Sequence, residues 1–194
     1  MVDIIINYSP QNLTLAAIFL LLAYALKSVT VIFPISALQI ASGLLFKPIA
    51  AFFINLCGLM ITLTFPYWIG RKTGADVMER LLKKRPVLTK ITDRQKSSPI
   101  FLSYFLRVIG CLPGDLVSLY LGACQISYPQ FLLGGMLGSG LHLVAFTFLG
   151  SAISDPQSPQ FCASLVLTLV VSGLPLSLNR FYCRKVTKHS KNET

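Results

Sequence analysis

Arg107 and Asp115 stand eight residues apart in "RVIGCLPGDLVSLYLG", an otherwise apolar stretch, with Pro113 and Gly114 between them. Arginine offers a planar fork of donors suited to the oxygens of an anion, and an aspartate can orient that fork or exchange a proton. In a continuous helix eight residues would hold the two about 12 Å apart. The Pro-Gly break lifts that constraint, since a turn can bring Asp115 back toward Arg107 or aim both at one cavity. At the centre of a bilayer a charge costs at least roughly 2.5 to 3.5 kcal/mol, so such groups face a cavity, pair with each other, or both. The sequence therefore predicts a polar pocket built around Arg107, Pro113, Gly114 and Asp115. Two plainer readings compete with it: a buried pair that only holds its hairpin in shape, and Asp115 capping the half-helix after Pro113.

Other residues offer less chemistry. His142, in "GSGLHLVAF", is a candidate proton relay, although a hydrogen-bonded packing histidine is the more common role. The five cysteines form no C-x-x-C and are odd in number, which argues against a disulfide framework or a zinc site; those in apolar runs behave as small hydrophobes. No metal or cofactor is expected. An enzyme needs a nucleophile with an acid or base in reach, and His142 with scattered serines supplies no spaced set, so the chain is read as a non-enzyme.

The elements that must position these residues follow from composition. With 54% hydrophobic against 12% charged residues and a mean hydropathy of +0.67, the chain lies outside the soluble balance. A span needs roughly 20 apolar residues. Leu13 to Phe33, Pro48 to Gly70 and Pro129 to Gly150 supply that, and Phe161 to Leu178 is slightly shorter. The N-terminus lacks a basic n-region and a cleavage site, so the first segment is expected to be retained. Lys27 and Lys47 are expected to snorkel toward an interface.

Of 17 Lys and Arg, nine fall between Arg71 and Lys96 against three acids, and five follow Leu178 against one, so these stretches carry the whole net charge of +10. Such bias marks the cytoplasmic side, leaving Ser151 to Pro159 outside. Neither stretch has the aromatic interleaving or module of a nucleic-acid binder. Val77, Met78, Leu81 and Leu82 recur at helical spacing. Asp76 to Arg85 is thus either a surface helix with lysines on anionic lipid or an ordinary solvated connector.

The two halves share a register. Pro34, Gly43, Gly58 and Gly70 are separated by 9, 15 and 12 residues, and Pro113, Gly122, Gly138 and Gly150 by 9, 16 and 12. Pro48 and Pro129 open the long span of each half. The pieces between the prolines, 14 and 16 residues long, are too short to cross. Each is read as one arm of a re-entrant hairpin shaped by Pro34 and Gly43 or by Pro113 and Gly122. In the first half, Leu13 to Phe33 is either a full span or the entering arm. The charge bias turns the hairpins to opposite faces, an inverted-topology repeat of the kind in which transporters place a site near the midplane. The expected fold is all-α and integral to the membrane, one domain over 1–194. Repeat one covers about 13–74, a basic connector about 71–98, repeat two about 99–153, a final span about 160–179 and a basic tail 180–194.

"FPISALQIASGLLFKP" and "NLCGLMITLTFPYWIGRKTG" in the first half, with "FLRVIGCLPGDLVSLYLGACQISYPQFLLGGMLG" in the second, resemble the DedA family, also called the VTT-domain or SNARE-associated Golgi protein family. The likeness is nearest to its yeast-Golgi-like branch. The resemblance implies a multi-pass membrane protein with two opposed re-entrant hairpins that moves lipids between leaflets, as a flippase or scramblase for polyprenyl phosphate or phospholipid. It maps the family's hairpin arginine and acid onto Arg107 and Asp115. Many bacterial members carry an acid in the first hairpin, where this chain has "FPISAL" and none. The expected ligand at Arg107 is a lipid phosphate; the alternative is a proton- or ion-coupled carrier of a small solute. Expected partners are membrane lipids and, as a further partner, a second copy of the chain. The expected location is the plasma membrane in a bacterium and an endomembrane in a eukaryote, with the basic loop and tail cytoplasmic.

Overall fold

Prolines set where the helices begin. Proline has no N–H to lose in a first turn and its φ is already helical, so it starts helices as readily as it interrupts them. The computed structural model describes residues 10–29, 34–74, 98–109 and 113–173. Within these, every regular element is a helix: α1 (Pro10–Val29), α2 (Ile35–Leu45), α3 (Pro48–Thr73), α4 (Pro99–Ile109), α5 (Gly114–Ala123), α6 (Tyr128–Ala152) and α7 (Pro159–Gly173). Five open on or beside a proline. The other two, α2 and α5, follow Pro34 and Pro113, whose ψ values of 131° and 140° hold the chain extended just before the helix starts.

The all-helical expectation holds for the described residues. Leu13 to Phe33 is entered by α1, which ends at Val29. The connector's candidate surface helix at 76–85, the tail after 180 and the last residues of the final span lie outside the described residues. Two helices are long and apolar enough to cross a membrane, α3 with 26 residues and α6 with 25. At about 1.5 Å per residue each reaches roughly 38 Å, beyond the ~30 Å hydrocarbon core.

Burial shows which solvent the fold requires. Ile49 is 75% exposed and Phe19 68%, while Asn55, Ser42, Ser103 and Ser118 are all at 0%. The rest of the chain covers only 33% of the apolar window of α3 and 28% of that of α6, whereas the core helix of a soluble protein would be mostly buried. Apolar side chains outside and small polar ones between helices suit lipid, where packing and interhelical hydrogen bonds hold the helices together. The chain is a membrane protein.

Two antiparallel helices, α3 and α6, form the centre. Tyr67 near the end of α3 stacks on Phe131 near the start of α6, with ring centroids 4.5 Å apart. Toward their other ends, Asn55 Nδ2 donates to Thr147 Oγ1 at 2.8 Å. Around this pair the packing is crossed: α1 lies on α3 and α4 on α6, but α2 packs against α6 and α5 against α3. Each short helix thus rests on the long helix of the other half.

Glycines make the crossings. A Cβ on Gly43 would stand 2.3 Å from Thr147 O, and one on Gly150 2.3 Å from Ile40 O, so α2 and α6 touch backbone to backbone. On the other side a Cβ on Gly122 would stand 2.1 Å from Tyr67 O, and one on Gly70 1.9 Å from Leu119 O. Small residues permit this approach, and helix association in lipid depends on it. Gly43 and Gly122, expected to shape hairpins, therefore seat each short helix on its distant partner.

Candidate functional site at the two helix breaks

Lys27 lies in the last turn of α1, Asp115 in the first turn of α5. Lys27 Nζ donates to both carboxylate oxygens of Asp115, at 2.8 and 2.7 Å. The pair is largely enclosed, with side-chain exposures of 9% and 18%. It joins residues 88 apart and ties the end of α1 to the break between α4 and α5.

Three expectations change here. Lys27 does not snorkel; an acid holds it inside the protein, which spares its charge the cost of lipid. Asp115 is not the cap of α5, since Pro113 occupies that position and no side chain caps it. The ion pair of Asp115 is with Lys27 rather than with Arg107. Lys47, in contrast, is exposed.

Arg107 comes from the last turn of α4 and spans the break. Its Nη1 donates to Gly114 O at 3.3 Å and its Nη2 to Ser118 Oγ at 3.1 Å, while Ser118 Oγ itself donates to Gly114 O at 3.1 Å. The guanidinium carbon lies 5.4 Å from the centre of the Phe131 ring. Glycines of α6 make room along the other side: a Cβ on Gly135 would stand 3.1 Å from Arg107 Nε, and one on Gly138 3.1 Å from Arg107 Cβ. Nε is buried without an acceptor, and among the described residues Arg107 forms no ion pair. A guanidinium has five N–H donors. Two contacts to α5 leave donors over for an anion.

Lys27 is the residue of this cluster that reading the sequence placed elsewhere, at an interface. An offset of 80 residues relates Gly58 to Gly138 and Gly70 to Gly150, and the same offset relates Tyr24 to Tyr104 and Lys27 to Arg107. The two cations thus hold matching places before the two breaks. An offset of 79 relates Pro34 to Pro113, Gly43 to Gly122 and Ser36 to Asp115. Where the second half has an acid, the first has a serine. Lys27 therefore finds a carboxylate across the site and its counterpart Arg107 does not.

Behind α2 lies a second polar group. Tyr24 Oη donates to Asn55 Oδ1 at 2.8 Å, and Asn55 Nδ2 also reaches Gln39 O at 3.2 Å. With Thr147 this network joins α1, α2, α3 and α6 and satisfies polar atoms that lipid could not. His142 is half-buried and stacks on Phe146, with ring centroids 6.0 Å apart. No hydrogen bond links it to the cations among the described residues. No group of three or more His, Cys, Asp or Glu is placed to hold a metal among the described residues, and Cys57, Cys124 and Cys162 are free thiols.

The VTT domain family model matches residues 33–152, more than half of the chain, from just before Pro34 to the end of α6. Lys27 and α1 precede the matched span. No curated protein and no solved structure matches the chain.

Proposed function

Because the chain belongs to the DedA family, whose mark is the VTT domain, we propose that it carries membrane lipids between leaflets and takes the head-group phosphate at Arg107. One observation carries this reading: among the described residues, Arg107 lies at a helix break with a buried Nε that meets no acceptor, and it forms no ion pair there. A planar guanidinium donates paired, charge-assisted hydrogen bonds to phosphate oxygens. The chain acts as a carrier and not as an enzyme, with lipid head groups as its partners.

The reading includes an architecture. α4 and α5 form a re-entrant hairpin, α1 and α2 its counterpart from the opposite face, and the two halves make an inverted-topology repeat about the α3–α6 pair. The crossed packing and the two matched glycine contacts support it. The motifs of both halves favour the yeast-Golgi-like branch. With its one hairpin acid engaged by Lys27, coupling to protons through paired acids loses its second carboxylate, which disfavours the ion-coupled solute carrier. The chain crosses the membrane several times, with the Arg71 to Lys96 stretch and the tail after Arg180 in the cytoplasm. A cysteine introduced near Lys84 should resist an impermeant thiol reagent applied to intact cells; labelling from outside would invert the scheme.

Arg107→Lys is the test of function. The substitution keeps the charge and loses the fork, so lipid transport by purified protein in liposomes should fall at least tenfold, with membrane insertion and thermal stability near the parent's. Full transport with lysine and with alanine at this position would leave Arg107 as a structural part of the hairpin.

A further inference from the structure

Three charged side chains meet at the breaks among the described residues: Lys27 from α1, Arg107 from α4 and Asp115 from α5. Arg107 holds the carbonyl of Gly114, and Lys27 holds the carboxylate of the next residue. The two cations therefore engage adjacent residues at the start of α5, and among the described residues a single acid is paired there. One charge cancels another, and one positive charge remains.

In apolar surroundings this remainder decides what can enter. A ligand that carries one negative charge leaves the loaded site neutral. A ligand with two leaves an uncompensated charge in a medium that cannot solvate it. We propose that Asp115 is a selectivity residue: by neutralising Lys27 it sets the site to accept a singly charged phosphodiester head group and to reject a doubly charged phosphomonoester. This rests on the reading of Arg107 as the phosphate ligand. It adds a chemical choice between the two lipid classes left open above, phospholipid diesters and polyprenyl phosphate monoesters. Asp115 meets Lys27 through both oxygens and has no need to touch the lipid, so it acts by fixing the charge that Arg107 presents.

Two lipids that differ by one methyl group and one charge test this without a change of pH: labelled phosphatidic acid, a dianion at pH 8.5, and labelled phosphatidylmethanol, a monoanion. In liposomes holding the parent protein, phosphatidylmethanol should cross at least tenfold faster, after subtraction of protein-free vesicles. Asp115→Asn frees Lys27 and should shift that ratio at least tenfold toward phosphatidic acid. Lys27→Gln with Asp115→Asn returns the site to one positive charge and should restore the parent's preference. If the single variant does not fold, the parent's own ratio still tests the charge rule, and the double variant, which keeps one positive charge, should keep the parent's ratio. Equal rates for the two lipids in the parent, with both lost in Arg107→Gln, would overturn the charge rule and leave the phosphate site standing. A parent preference that survives unchanged in folded Asp115→Asn would remove Asp115 from the selectivity. Rates for both lipids that ignore Arg107→Gln would remove the phosphate site, and this inference with it.

Discussion

Lys27→Ala is expected to destabilise the protein by about 3 to 5 kcal/mol, because it strips the counter-charge from a carboxylate enclosed by α1 and α5 and leaves that carboxylate unpaired. Asp115→Ala should cost a similar amount for the mirror reason. The double alanine variant removes both charges and should lose clearly less than the two single losses added together. Thermal unfolding of the four proteins in one detergent checks the cycle. Additive losses would mean that the 2.7 Å contact does not persist in the folded protein. The same cycle run on Arg107 with Asp115 should show weaker coupling, since their direct ion pair is absent among the described residues.

The second large effect belongs to the crossing glycines. Gly70→Ala would place a methyl group 1.9 Å from Leu119 O, and Gly43→Ala one 2.3 Å from Thr147 O. Backbone cannot turn aside as a side-chain tip can, so the helices must separate along the contact. Overpacking of this kind costs about 1 to 3 kcal/mol, and the loss of contact across the crossing adds to it. Gly140→Ala is the control, because a Cβ there meets nothing within 4 Å. It should be neutral or slightly stabilising, since alanine is the better helix former. Equal tolerance at positions 70, 43 and 140 in a thermal-shift series would rule out the close crossings.

The breaks and the register were legible in the sequence because they depend on backbone. Pro34 and Pro113 disfavour a continued helix, Pro113 the more so with Gly114 beside it, and glycines at 43, 70, 122 and 150 are conspicuous where two helices approach closely. Arg107 stood out as a charge in an apolar run. Its relation to Asp115 stays open in the sequence between a pair and a shared cavity, because nearness along the chain suggests a partner, while the ion pair of Asp115 is with Lys27, 88 residues earlier on another helix. Lys27 looked like an interfacial lysine, for its place near a helix end fits snorkelling equally well. Matching the halves by glycine and proline alone hid the fact that Lys27 and Arg107 occupy matching places. Asn55 and Thr147 are not legible in the sequence, since a single amide or hydroxyl in an apolar helix has no period to announce it.

The exchange of short helices between the halves also bears on how such a chain can arise. Helix α2 meets α6 backbone to backbone and helix α5 meets α3 in the same way, so the closest seat of each short helix is on the long helix of the other half. A half-length chain could satisfy these contacts only by lending its short helix to another copy and borrowing one in return. Any half-length form that kept these contacts would then be a pair of small chains, each completing the other. Fusion of such a pair would free the two copies to diverge. The present chain fits that history, with one counter-ion kept at Asp115 and a serine at the matching place, Ser36.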